Sequence, residues 1–164
     1  MIVREAAPAD AIPIACVYNY YVESSHCTFE VSAVNEIEMR RRIAESNDER
    51  LRFIVAEDAG LIVGFANCHP WRARAAYART VEISVYVHPQ ETGKGAGSQL
   101  YRELFSGMRA ADVHVAIAGI SLPNDASVRL HEKFGMKKVA HFSQVGRKFD
   151  RWIDVGHWQV VLDR

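Results

Sequence analysis

Hydrophobic and polar positions change period several times along the chain, and each change marks an element. Ile2-Val3-Arg4-Glu5 reads as a short strand. Pro8-Ala9-Asp10 opens a helix to about residue 21, with Asp10 as its N-cap and Pro13 tolerated in the first turn. Residues 23–32 have no clear period and read as a loop. Asn35 with Glu38 three residues on resembles a capping box, opening a second helix to about residue 46. Apolar runs at 53–56 and 61–66 flank Asp58-Ala59-Gly60, a hairpin signal. A loop rich in arginine and aromatics, residues 70–78, leads into the alternating strand Val81-Glu82-Ile83-Ser84-Val85-Tyr86-Val87, which stops at Pro89. Three glycines follow, then a helix in which Leu100, Leu104 and Met108 recur every four residues. Residues 113–120 are almost wholly apolar and β-branched, as in a strand buried on both faces. Pro123-Asn124-Asp125 starts another helix, ended by Gly135 as its C′ residue, and residues 137–141 and 150–162 give two more strands. The order β-α-α-β-β-β-α-β-α-β-β predicts a single α/β domain over residues 1–164 with a mixed sheet.

The chain's 164 residues, 49% of them hydrophobic, suffice for one domain with a real core. Its 20 basic and 20 acidic residues cancel, leaving no uniform field to attract nucleic acid or an anionic membrane. Arg40-Arg41-Arg42 sits among Glu36, Glu38 and Glu45 and reads as a solvated helix face with i,i+4 pairs. Three cysteines, Cys16, Cys27 and Cys68, are odd in number without CxxC spacing, so reduced thiols are expected and a metal site is not. The start lacks the apolar run of a signal peptide, and no uncharged segment is long enough to span a bilayer. A soluble, cytoplasmic protein is expected.

Four constellations carry chemistry. Gly93-x-Gly95-x-Gly97 joins a strand to a helix, where unpaired N–H groups and the positive helix end suit phosphate. Taken alone it is equally a tight connection, and it fits neither a Walker A frame nor a dinucleotide fingerprint. Glu82 stands in an otherwise apolar strand, sharing a face with Ser84 and Tyr86. It is either a wet or arginine-paired carboxylate, or a partly buried base with a raised pKa. Asn124, Ser127 and His131 line one helical stripe beside Leu130 and Phe134. Arg72 and Arg74, with Trp71 and Tyr77, offer guanidinium forks and an aromatic wall to a carboxylate-bearing ligand, or are surface arginines on a loop.

Together these pieces resemble the GNAT family of acetyl-CoA-dependent N-acetyltransferases over nearly the whole chain. The family's Arg/Gln-x-x-Gly-x-Gly/Ala loop falls on Thr92-Gly93-Lys94-Gly95-Ala96-Gly97, with Thr92 in place of the usual Arg or Gln. Its Asn-x-x-Ala-x-x-Leu-Tyr-x-x-x-Gly-Phe motif falls on Asn124, Ser127, Leu130, His131, Gly135 and Met136. Trp71 to Tyr77, Thr80 to Val87, Leu122 to Glu132 and Trp152 to Gln159 are similar, more narrowly, to the phosphinothricin and methionine sulfone/sulfoximine acetyltransferase branch.

The resemblance implies the GNAT fold: a mixed, mostly antiparallel twisted sheet of about seven strands flanked by about four helices. It implies that the backbone of Val85, Tyr86 and Val87 holds the pantetheine arm and thioester carbonyl of acetyl-CoA. The N–H groups of Gly93, Lys94, Gly95, Ala96, Gly97 and Ser98 would hold its pyrophosphate. Asn124 would contact the pantetheine beside Ser127, with Lys133 near the adenosine end. Glu82 would take the amine proton, and His131 would assist the leaving thiolate or orient a water. Arg72, Arg74 and Tyr77 would hold a substrate carboxylate, while the Thr28-Phe29-Glu30 loop borders the acceptor pocket of a homodimer.

The acceptor implied is the α-amino group of methionine sulfone, methionine sulfoximine or phosphinothricin. With a pKa near ~8 it asks less of Glu82 than a lysine near ~10.4. No cysteine is placed as an acyl carrier, so direct transfer in a ternary complex is expected. The rival readings are an acetyltransferase for a peptide N-terminus, polyamine or aminoglycoside, and a non-catalytic acyl-CoA sensor. A nucleotide-binding module fails on the missing Walker A frame.

Overall fold

The computed structural model describes residues 1–46 and 50–162. Among them the chain runs β1 (Ile2–Glu5), α1 (Ala11–Ser24), α2 (Glu36–Glu45), β2 (Phe53–Asp58), β3 (Leu61–Pro70), β4 (Thr80–Val87), α3 (Ala96–Ala110), β5 (Val115–Leu122), α4 (Asp125–Lys133), β6 (Lys137–Lys148) and β7 (Arg151–Val161). The element order is the predicted one. The strands form one sheet, β1-β2-β3-β4-β5-β7-β6, antiparallel throughout except where β4 meets β5.

Period-two alternation splits the core into two layers. Ile54 and Ala56 of β2 and Val81 and Ile83 of β4 face α3, where Leu100, Leu104 and Met108 are all fully buried. Phe53 and Val55 turn to the opposite face and pack under Ile14, Val17 and Tyr18 of α1 and Met39 and Ile43 of α2. Each such fully buried large apolar side chain stabilises the fold by about 1.5–3 kcal/mol.

Several local expectations are altered by partners from elsewhere in the chain. Asp10 sits at the N-cap position of α1, but its carboxylate accepts two bonds from Arg4, at 2.7 and 2.9 Å, and one from the Ala7 N–H. The Arg4 guanidinium holds that carboxyl below the ordinary range. The Asn35 side chain does cap α2 by accepting the Glu38 N–H at 2.9 Å, while the Glu38 carboxylate pairs with Arg41 and Arg42. Of the three arginines on α2, Arg42 also reaches Glu30 at 2.8 Å. Helix α1 continues to Ser24 rather than residue 21, and β5 lies two residues later than its apolar run suggests. Strand β6 continues to Lys148 because it is an edge strand with mostly exposed side chains and two irregularities, so no apolar period announces it.

Strands β4 and β5 pair only at Thr80, Val81 and Glu82, opposite Val115, Ala116 and Ile117. Beyond that point they part, whereas β3 stays paired with β4 as far as Val87. The parting opens a crevice at the carboxyl ends of two adjacent parallel strands, where open α/β sheets bind ligands.

Candidate active site

The crevice is a cleft of about 550 Å³. One wall is Ile83, Ser84, Val85, Tyr86 and Val87, and the other is Gly119, Ile120 and Ser121, with α4 and the start of α3 closing the outer end. Along this length the backbone groups of β4 that face β5 have no strand partner, which leaves N–H groups for a ligand carbonyl.

Gly93 and Gly95 shape the outer end. Both have left-handed backbones, with φ of 78° and 95°, and a Cβ at either would project into open space. Gly95 is the N-cap of α3, so the N–H groups of Ala96, Gly97 and Ser98 precede any helical carbonyl they can bond. Gly97 packs closely on α4, where its Cβ would meet Leu130 Cδ2 at 3.1 Å. Lys133 Nζ donates to Ser98 Oγ at 3.0 Å and puts a cation beside these amides. Amides, helix end and ammonium suit a pyrophosphate. Lys94 instead turns its ammonium to Glu91 at 3.0 Å, and the Thr92 hydroxyl donates to the Pro89 carbonyl.

Helix α4 enters through Asn124, whose side-chain oxygen accepts the Ser127 N–H at 3.2 Å while its amide nitrogen donates to Cys27 Sγ at 3.4 Å. Val85, Tyr86, Val87, Gly93, Gly95, Ala96, Gly97, Ser98, Asn124, Ser127, His131 and Lys133 are thus brought to one cleft.

His131 lines the cleft and is held at both ring nitrogens. It is 3% exposed, its Nδ1 lies 2.7 Å from the Ser127 carbonyl oxygen, and its Nε2 lies 2.7 Å from the Tyr101 hydroxyl. A carbonyl only accepts, so Nδ1 carries the proton and Nε2 accepts from Tyr101. Burial also pushes the imidazole below its ordinary value, only partly opposed by the Ser127 carbonyl. Both nitrogens are thus engaged within the protein.

Glu82 stands where β4 and β5 part, with a side chain 29% exposed. His69, its cross-strand partner on β3, brings Nε2 to 3.9 Å from Oε2. On the other side, Glu82 Oε1 and His157 Nε2 lie 3.4 and 3.5 Å from the point a Cβ on Gly119 would occupy. The glycine leaves room for both.

The segment after α1 is tied to α1, β4 and β6. Tyr18 donates to Glu30 and shares a 2.7 Å bond with Thr28, Lys148 Nζ donates to the Thr28 carbonyl at 2.9 Å, and the tip of the Phe29 ring lies against Gly146. Burial lowers the Lys148 ammonium and raises the Tyr86 phenol, whose hydroxyl donates to the Cys27 carbonyl. A second cavity of about 430 Å³ lies under α2, lined by Glu30, Arg42, Asn67 and His69, and shares Ser84 and Tyr86 with the cleft.

The arginine loop is not brought to either cavity. Arg72 stacks on the Trp71 ring at 4.8 Å, and Arg72, Arg74 and Tyr77 are exposed. Residues that the sequence did not single out do converge: Tyr21, Cys27 and Ser121 in the cleft, His69 and His157 beside Glu82. Burial pushes the Tyr21 phenol up to about 12. Among the described residues, no group of three His, Cys, Asp or Glu is placed to hold a metal, and no helix is long and apolar enough to cross a membrane.

A model of the acetyltransferase (GNAT) family matches residues 16–136. A phosphinothricin N-acetyltransferase from Streptomyces coelicolor is 40% identical over 163 residues, spanning 98% of this chain and 95% of that protein. An L-methionine sulfoximine/L-methionine sulfone acetyltransferase from Salmonella typhimurium is 36% identical, spanning 99% and 95%. The crystal structure of a phosphinothricin acetyltransferase from Sinorhizobium meliloti in complex with acetyl-CoA superposes with a TM-score of 0.94 at 31% identity, over 98% of this chain and 88% of that one.

Proposed function

Because the chain belongs to the acetyltransferase (GNAT) family, we propose that it acetylates the α-amino group of small amino-acid-like acceptors of the methionine sulfone, methionine sulfoximine and phosphinothricin type. It is an N-acetyltransferase that uses acetyl-CoA. The observation that supports the acceptor reading is the position of Glu82, the last residue of β4 paired with β5, directly before Ile83 where the cleft lining begins. The relatives' named substrates supply the acceptor class.

The residues present fit the coenzyme: Gly93 to Ser98 with Lys133 would hold the pyrophosphate, and Asn124 with the open edge of β4 the pantetheine arm. Bound there, acetyl-CoA supplies an acyl carbon activated as a thioester and a thiol leaving group. Glu82 takes the proton that makes the acceptor an ammonium, since only the free amine attacks. The open N–H groups of β4 stabilise charge developing on the carbonyl oxygen, where losing one such donor costs about 10²–10³ in rate. His131, neutral and bonded at both nitrogens, acts through Tyr101 and Ser127 by holding α4 against the cleft.

Transfer is direct. Cys27 lines the cleft but is a hydrogen-bond acceptor for Asn124 in this reading, and an acetyl group trapped on it would overturn direct attack. The protein is a single cytoplasmic domain and a homodimer, the last supported by Val139, Phe142, Val145 and Trp152, all exposed on the β6–β7 hairpin. Arg72, Arg74 and Tyr77 would then hold the acceptor carboxylate in the assembled pair.

Thiol release from acetyl-CoA tests the reading with methionine sulfone, methionine sulfoximine, phosphinothricin, peptides and polyamines as acceptors. Glu82→Gln is expected to cut turnover by about 10²–10⁴ while leaving acetyl-CoA affinity nearly unchanged. Wild-type turnover in that variant removes Glu82 as the base, and a preference for polyamines or peptides overturns the acceptor class.

A further inference from the structure

We propose that His69 is the proton exit of Glu82, a positioning residue that returns the base to its carboxylate form by passing the proton to solvent. The inference rests on Glu82 being the base. In the balanced reaction two protons leave the acceptor nitrogen; one ends on the departing thiol and the other in solvent. The second must pass from the Glu82 carboxyl, itself only 29% exposed, to water.

Three features single out His69. Its Nδ1 lies 3.3 Å from the Pro70 carbonyl oxygen, which can only accept, so Nδ1 carries the hydrogen and Nε2 keeps its lone pair. That lone pair is on the nitrogen 3.9 Å from Glu82 Oε2, about 1 Å beyond hydrogen-bonding distance and within reach of a side-chain rotation. The His69 side chain is 48% exposed, and it lines the second cavity. The O–H bond of protonated Glu82 breaks, an N–H bond forms at His69 Nε2, and the imidazolium releases one proton to water.

The other histidine beside Glu82 is a poor exit. His157, on β7, has its ring packed edge-on against Trp71 and Phe142, and its Nδ1 is buried with no hydrogen-bond partner. It is also the more distant: among the described residues only His69 brings a ring nitrogen within 4.0 Å of the Glu82 carboxylate. Glu82 is therefore faced by His69 from β3 and by His157 from β7 across Gly119 of β5, while Glu30, Arg41, Arg42 and Glu45 line the cavity beside His69. Of these described groups, His69 combines a bare nitrogen within 4.0 Å of Glu82 with a half-exposed side chain.

The test is the pH dependence of kcat for His69→Ala and His69→Gln with saturating substrates, each with and without added imidazole. Both variants are expected to lose about tenfold in kcat, equal to ~1.4 kcal/mol, with both KM values nearly unchanged. Imidazole is expected to restore His69→Ala, which leaves room for it, and not His69→Gln. Wild-type kcat across the pH range, or a loss that imidazole does not repair in His69→Ala, overturns the exit. If His69→Ala does not fold, the His69→Gln profile decides: the loss supports the exit and a wild-type profile overturns it. An inactive Glu82→Gln beside a normal His69→Ala rejects the exit alone, whereas an active Glu82→Gln rejects the base itself.

Discussion

Tyr101 donates its hydroxyl hydrogen to Nε2 of His131 across 2.7 Å, and both residues are buried. The ring on α4 and the phenol on α3 thereby pin together the two helices that close the outer end of the cleft. A buried donor and a buried acceptor satisfy each other, and neither has water as a substitute.

The pair makes stability depend on pH. Burial lowers the folded-state pKa of His131 below its ordinary value of 6.5. Between those two values the unfolded chain binds a proton that the folded chain refuses, so stability falls as pH drops through that window and levels off below it. The urea midpoint is expected to fall on acidification from neutral pH, and His131→Asn is expected to flatten that slope. Tyr101→Phe is expected to cost about 1–3 kcal/mol at neutral pH by leaving Nε2 unpaired. An unchanged slope in His131→Asn rejects the histidine as the titrating group.

Gly95 joins the outer end of the cleft to the fold's stability. Its φ of 95° is in the left-handed region, and nothing stands within 4 Å of a Cβ placed on it, so the cost of Gly95→Ala is conformational rather than steric. Unfolding in urea is expected to show a loss of about 1–2 kcal/mol. Relief of that strain turns the amides at the start of α3, so calorimetric titration is expected to show weaker acetyl-CoA binding as well. Full stability with unchanged binding rejects Gly95 as the pivot of the nest.

Much of this was legible along the chain because the elements announce themselves locally. Leu100, Leu104 and Met108 spell α3, the alternation of Val81, Ile83 and Val85 spells β4, and Asn124 with Gly135 brackets α4. Gly135 ends that helix through its own N–H to the Glu132 carbonyl and the Met136 N–H to the His131 carbonyl. The rest depends on partners distant in sequence. Asp10 looks like a helix cap until Arg4 claims it, and His69 has no meaning before strand register sets it opposite Glu82. Cys27 reaches the cleft only because the segment after α1 is folded back over it. The stripe of Asn124, Ser127 and His131 was legible as a stripe, but not the burial that changes what His131 can do.

The last relationship to test is Gly146 with Phe29. A Cβ on Gly146 would stand 2.4 Å from Phe29 Cζ and 2.5 Å from Cε2, so β6 admits no side chain there while the ring stays in place. Phe29 is 40% exposed, and the ring can swing outward at modest cost to the fold. Its movement drags the segment that carries Thr28 and Glu30, which Lys148 and Tyr18 otherwise hold with Glu30 lining the second cavity. Gly146→Ala is therefore expected to raise the acceptor KM several-fold, about 1 kcal/mol of binding, with acetyl-CoA affinity and melting temperature nearly unchanged. Phe29→Ala removes the obstacle, so adding Gly146→Ala to it is expected to change the acceptor KM no further. Additive effects of the two substitutions would mean that Gly146 acts on the acceptor site by some route other than this ring.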